Sequence, residues 1–377
     1  MGGFDLVLPS PAATGFLRAC LLGGEAGRTA FDEWLARVGD PFAALRHGHW
    51  RLKTELPLLQ AALRGNGSEP EDPAFRTHLR AAAEFERLRA ESHRHILGEA
   101  LARLAAHGHR PRLLGAALLA ETVYPAPELR HCYGVDLLVL DTEIRDVRRA
   151  LASFAAPSTE GDAVLHHPAG VPIRMHTALT PPYYADSTPD PSRATTEIGV
   201  LGQRCATVGR ELMLTQICSQ AFFSGLAAGD VSWVSDAWFT LAATPNLSWE
   251  AVLGMAGARR LHIPLAPTLR YLRDEIGIPI PEAVTEHVGR EARRAPRTER
   301  DMARSFAWRA VRRGAVDGCP PRLVLGDALA FARWGVAPSR GYLRATRSAE
   351  GSGGLVRAYA RRPLRLARRS WHRAGVS

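Results

Sequence analysis

Tyr133-Gly134-Val135-Asp136-Leu137-Leu138-Val139-Leu140 decides the fold, together with the words on either side of it. Val135–Leu140 is a near-continuous apolar run, the pattern of a central strand buried on both faces. Upstream, Pro111-Arg112-Leu113-Leu114-Gly115-Ala116-Ala117-Leu118-Leu119 reads as a short strand, a small-residue turn and a helix. Downstream, Val171-Pro172-Ile173-Arg174-Met175-His176 reads as a third strand ending at a histidine. Ala163–His166 and Val171–Ala178 suggest a hairpin across Pro168-Ala169-Gly170. Thr142–Phe154 has helical spacing, with Thr142 as its cap and Ile144, Val147, Leu151 and Phe154 inward. The expected class is α+β: a small mixed sheet between helical regions.

The flanks support that arrangement. Helices are predicted over Ala12–Leu22, Arg28–Val38 and Trp50–Leu63, then a long one over Ala74–His107. The apolar stripe of the long helix is Phe75, Leu79, Ala82, Phe85, Leu88, Ile96, Leu97, Leu101 and Leu104, and Gly108 ends it. His93, His95, His107 and His109 show no i, i+4 pair backed by a carboxylate, so they read as solvated helix-face residues. Pro181–Thr195 is a polar, proline-rich loop. Four further helices are expected over Leu212–Leu226, Trp233–Ala243, Ser248–Ala258 (capped by Asn246 or Ser248) and Leu265–Ile276, with a stop at Gly277-Ile278-Pro279. Arg290–Arg313 reads as a basic helix, Leu323–Trp334 as a short apolar one, 351–354 as a Gly-Ser hinge and Leu355–Arg373 as a last basic segment. The expected units are 1–109, an N-terminal helical region; 110–205, the sheet core; 206–289, a helical domain; and 290–377, a basic extension.

Composition narrows the class. The 377 residues are 46% hydrophobic and 23% charged, ordinary for a globular protein of this length. There is no uncharged apolar run long enough for a membrane span, and the N-terminus has no basic region ahead of an apolar one. Five scattered cysteines without a CxxC argue against a zinc or disulfide framework and fit a reducing cytoplasm. The formal charge is +10 and uneven: residues 290–377 carry a net +15 and the rest a net −5. Lys53 is the single lysine, so an arginine here need not have been preferred over lysine for its fork geometry.

In order and spacing, four words resemble the bacterial nucleotidyltransferase-like family that belongs to the polymerase-beta-type superfamily. They are Leu114-Gly115-Ala116-Ala117-Leu118, Tyr124-Pro125-Ala126-Pro127-Glu128-Leu129-Arg130, Tyr133-Gly134-Val135-Asp136-Leu137-Leu138-Val139 and Arg174-Met175-His176. Trp233-Val234-Ser235-Asp236 and Leu247-Ser248-Trp249 stand where family members have similar words. The resemblance runs from about Ala74 to Ala283. It implies a nucleotidyltransferase core, with Gly115, Ala116 and Arg130 near a nucleotide and Asp136, Arg174 and His176 at the reaction centre. An active member would need a nucleoside triphosphate and magnesium.

The departures bear on chemistry. Nucleotidyl transfer develops charge on an in-line phosphoryl group, and two divalent metals held by carboxylates offset it. Two acids at i and i+2 of a strand point to one face, and a neighbouring strand supplies a third. In this chain the three positions are Gly134, Asp136 and Arg174, and together they carry no net charge. The family's turn lysine is Leu114, and its later helix histidines are Gln216 and Gln220. Metal would therefore involve Asp136 alone. An Asp136–Arg174 ion pair in place of the cations is expected. Removing either partner would then strand a buried charge. Two alternatives remain open: relocated ligands from Glu121 or Glu143 (Asp141 points away on the strand), and metal-free binding of a phosphate or carboxylate by Arg174 and His176.

The leading expectation is a cytoplasmic pseudoenzyme-like protein that binds a nucleotide or a partner. The alternatives are an active transferase acting on a protein, peptide or small-molecule acceptor, and a protein whose Arg-rich C-terminus binds nucleic acid, an acidic protein or peptide, or a membrane surface. In that C-terminus Trp308, Tyr342, Tyr359 and Trp371 are interleaved with the arginines. A solvated basic face is the plain reading of the same residues.

Overall fold

Three N-terminal helices start alike in the computed structural model, which describes residues 8–48, 51–140, 142–157, 163–179, 195–223 and 229–304. Helix α1 (Pro11–Leu21) is capped by Ser10, α3 (Pro41–His47) by Asp40 and α5 (Pro73–Ala106) by Asp72. Each cap accepts a backbone N–H, and each is followed by a proline at the first helical position, where no N–H is needed. Between them lie α2 (Gly24–Val38) and α4 (Leu56–Gly65). Phe16, Phe31, Trp34, Phe42 and Phe75 bind α1, α2, α3 and α5 into one aromatic cluster.

The expected sheet is present. Strand β1 (Leu113–Leu114) leads directly into α6 (Gly115–Thr122), a turn made possible by Gly115 at φ 66°. Strand β2 (Val135–Leu138) is followed by α7 (Ile144–Leu151), β3 (Ala156–Pro157), β4 (Val164–His166) and β5 (Pro172–His176). The strand order is β1-β2-β5-β4-β3. β2 and β5 run parallel, and the other pairs are antiparallel. The parallel pair needs the crossover that α7, β3 and β4 provide. The chain is thus α+β, with a mixed sheet between helical flanks. Helices α8 (Arg210–Phe223), α9 (Ser232–Ala242), α10 (Trp249–Ala258), α11 (His262–Tyr271) and α12 (Glu282–Arg294) follow, and their buried side chains continue one hydrophobic core with the sheet and the N-terminal helices.

Several expectations need correction. Helix α3 and the hairpin of β6 (Thr195–Val200) with β7 (Gln203–Val208) were not foreseen. The hairpin reaches the core through Ala206, whose N–H donates to Pro111 O. The segment over Trp50–Leu63 splits into a 3-10 turn, Leu52–Glu55, and α4. Phe85 and Leu88 face solvent, 69% and 52% exposed, because the middle of α5 turns Glu86 inward instead. Thr142 does not cap α7; the cap position is Glu143, which makes no side-chain capping bond. His93 is not a solvated face residue: it is half-buried against Arg89, and burial pushes its pKa down to about 4. Helix α11 begins three residues early and passes into a π turn, Leu272–Ile276, before Gly277 at φ 90°. The basic helix is two pieces: α12 ends at Arg294, and Pro296 precedes a second run, 297–304. The loop at 181–194 and the expectations beyond 304 lie outside the described residues.

Candidate functional site

Asp136 and Arg174 are register partners on the parallel strands β2 and β5, so their side chains leave the same face of the sheet. His176, two residues further along β5, joins them on that face. Its Nε2–H donates to Asp136 Oδ1 at 2.7 Å. The Arg174 guanidinium stands 3.8 Å from the same oxygen, so the closer partner of Asp136 is the imidazole. The side chains of Asp136, Arg174 and His176 are 22%, 35% and 41% exposed. The expected ion pair is therefore half-solvated and loose, and not a buried charge pair.

Glycines shape two walls of this site. Gly115 opens α6 beside Asp136, and a Cβ there would lie 2.9 Å from Asp136 Oδ2. Ala116 follows in the first turn, so the partly positive N-terminus of α6 faces the carboxylate. At Gly134 a Cβ would meet Pro172 O at 2.5 Å and Arg174 Nη1 at 2.8 Å. The Arg174 side chain thus fills the space that a side chain at 134 would need. Leu114, at the position of the turn lysine, is buried and pairs with Asp136 across β1 and β2. On α8, Gln216 donates to Leu179 O at 3.4 Å, just past the end of β5.

The other acids of the region are engaged elsewhere. Glu121 holds Arg94 at 2.7 Å, and Glu143 holds Arg112 at 2.8 Å and accepts from Leu140 N. Asp141 lies outside the described residues. Among the described residues no group of three His, Cys, Asp or Glu side chains is placed to hold a metal ion.

Arg130 stands apart from the Asp136 group. It is buried, and its Nε and Nη2 donate to Asp236 Oδ1 and Oδ2 at 2.7 and 2.9 Å. Tyr124 donates to the same Oδ1 at 2.8 Å. Burial, the largest single influence, would lower the pKa of Arg130, but Asp236, Tyr124 and Asp230 together outweigh it and the net direction is up. Next to Asp236, Ser235 donates to Glu55 at 2.7 Å. Burial raises the Glu55 carboxyl to about 7, with Asp236 and Asp230 adding to the rise and Arg130 and Ser235 opposing it. Sequence reading noted the words around Tyr124, Arg130 and Asp236 but not that they meet, and Glu55 carried no signal beyond being an acid in an apolar stretch.

Comparison with curated proteins and with solved structures gives no match. A family model described as an uncharacterised nucleotidyltransferase matches residues 54–275, from the residue before Glu55 into the π turn. The match takes in the sheet, the Asp136 group and the Arg130–Asp236 pair, and it covers more than half of the sequence: the chain belongs to this uncharacterised nucleotidyltransferase family.

Proposed function

We propose that the chain uses its nucleotidyltransferase core to bind the phosphates of a nucleotide at the Arg174–His176 face, without metal-dependent nucleotidyl transfer. One observation carries this reading: the Arg174 guanidinium occupies the side-chain space of position 134, next to Asp136. Magnesium takes oxygen ligands in octahedral geometry and draws on carboxylates to hold it. The donor set here is one carboxylate, already bonded to an imidazole, with a guanidinium beside it. That set does not fit the ion. A guanidinium does suit phosphate oxygens, which it binds with charge-assisted hydrogen bonds. The N-terminus of α6 adds partial positive charge at the same place.

Calorimetric titration with nucleoside triphosphates, with and without magnesium, tests the reading. Binding is expected in both conditions with similar affinity, weakened about tenfold or more by Arg174→Gln, the cost of one charge-assisted contact. Magnesium-dependent transfer to any acceptor, abolished by Asp136→Ala, would overturn it in favour of an active transferase. A protein or peptide partner, if one takes the place of the nucleotide, would bring an acidic group to Arg174 and compete with triphosphate.

A further inference from the structure

A second concavity lies behind the sheet face that carries Asp136. Val135 precedes Asp136 on β2, so its side chain leaves the opposite face. On Val135's side, a cleft of about 350 Å³ opens between α5, α6 and the segment before β2. Its floor is apolar: Ala90 and Leu97 of α5, Ala117 and Ala120 of α6, and Val135 itself. Three of these five are alanines, whose short side chains leave the gap between the two helices unfilled.

The polar part of the wall is charge-balanced. Exposed Arg94 donates to Glu121 across the two helices at 2.7 Å, Arg89 donates to Glu86 at 3.2 Å, and Arg130 is held by Asp236. His93 adds no charge, because burial pushes its pKa down to about 4. Its Nε2 has Arg89 Nη1 at 3.5 Å, and its Nδ1 has no hydrogen bond among the described residues. A charged ligand would leave water here without gaining a free counter-ion. A neutral ring would cover the apolar floor and find one polar ring atom in reach. Mostly apolar concavities with a few placed polar groups, from about 300 Å³ upward, are the usual form of a small-molecule site.

We propose that this cleft between α5 and α6 is a binding site for a small neutral ring compound, aromatic or heteroaromatic, which lies on the alanine floor and shares one hydrogen bond with His93. The site is separate from the Arg174–His176 face and does not depend on what binds there.

The test is calorimetric titration of the full chain with benzamide, benzoate and benzylamine, probes of one ring size that differ in charge. Benzamide is expected to bind with a dissociation constant of about 1 mM or below. The anion and the cation are expected to bind about tenfold more weakly or not at all. Ala120→Leu places a larger side chain in the cleft and is expected to abolish benzamide binding. Ala90→Leu fills it from the other helix, at a half-buried position, and is expected to do the same. Urea denaturation confirms that the variants are folded. Arg174→Gln is expected to leave benzamide binding unchanged, and a loss there would move the probe to the core site and overturn the proposal. So would an absence of benzamide binding, charged probes that bind as tightly, or binding undiminished in the folded leucine variants.

Discussion

Arg130 grips Asp236 with two nitrogens across 106 residues of sequence, in a site where both side chains are almost fully buried. The pair ties the segment before β2 to helix α9, and Tyr124 closes it with a third bond. Two of the words that carried the family resemblance thus meet in the interior, where they join sheet to helices. Removing one partner of a buried pair leaves the other charge without compensation, a loss of about 3–5 kcal/mol. Asp236→Asn is expected to destabilise by that order in urea denaturation. A change below about 1 kcal/mol, the range of an exposed ion pair, would refute the structural role.

Glu55 gives the same region a pH dependence. Its carboxyl is raised from 4.5 to about 7, chiefly by burial, so the folded state holds a proton that the unfolded chain releases. The sign follows: the contribution to stability is complete below about 4.5, falls as pH rises and is lost above about 7. The size is on the order of 3 kcal/mol, from the roughly 1.4 kcal/mol that each pKa unit represents. Glu55→Gln keeps an acceptor for Ser235 and removes the titration. Wild type is expected to lose stability relative to this variant between pH 5 and pH 8. Parallel pH profiles for the two proteins would refute the assignment.

The sheet was legible because strand burial, helix spacing and Gly115 all agree locally on one arrangement. The site was legible in outline because i and i+2 spacing fixes which side chains share a face: Asp136, Arg174 and His176 do come together. That His176 is the tighter partner of Asp136 depends on side-chain reach, which spacing does not encode. Arg130 was legible as a word but not as a place, since its partner comes from a distant helix. Asp40-Pro41 was a readable signal for α3, the same cap and proline that open α5. The β6–β7 hairpin had weaker signals, because Glu197, Gly199 and Arg204 interrupt its apolar pattern.

Gly115 should tolerate no side chain. A non-glycine residue at φ 66° costs about 1–2 kcal/mol, and its Cβ would press on Asp136 Oδ2 at 2.9 Å. Gly115→Ala is expected to destabilise by at least that amount. Because part of the cost is the collision with Asp136, the double variant with Asp136→Ala should lose less than the sum of the two single changes. Strict additivity in denaturant midpoints would mean that the backbone angle alone explains the glycine.

Gly134→Asp is the substitution that restores, on paper, two acids at i and i+2 facing one side of β2. The strand does not have room for it. The nearest conflict of a Cβ at 134 is with the backbone carbonyl of Pro172 at 2.5 Å, and the next is with Arg174 Nη1 at 2.8 Å. A flexible guanidinium moves aside, but a carbonyl fixed between paired strands moves only if β2 and β5 separate. Overpacking of this kind costs about 1–3 kcal/mol. Gly134→Asp is therefore expected to lower stability, and adding Arg174→Asp, which completes the acid set, should relieve only the second conflict. Neither variant is expected to acquire magnesium-dependent transfer. A doubly substituted protein as stable as wild type that binds magnesium would show that Arg174 alone stands between this core and a metal site. Persistent destabilisation would show that the β2–β5 pairing itself is set against an acid at 134.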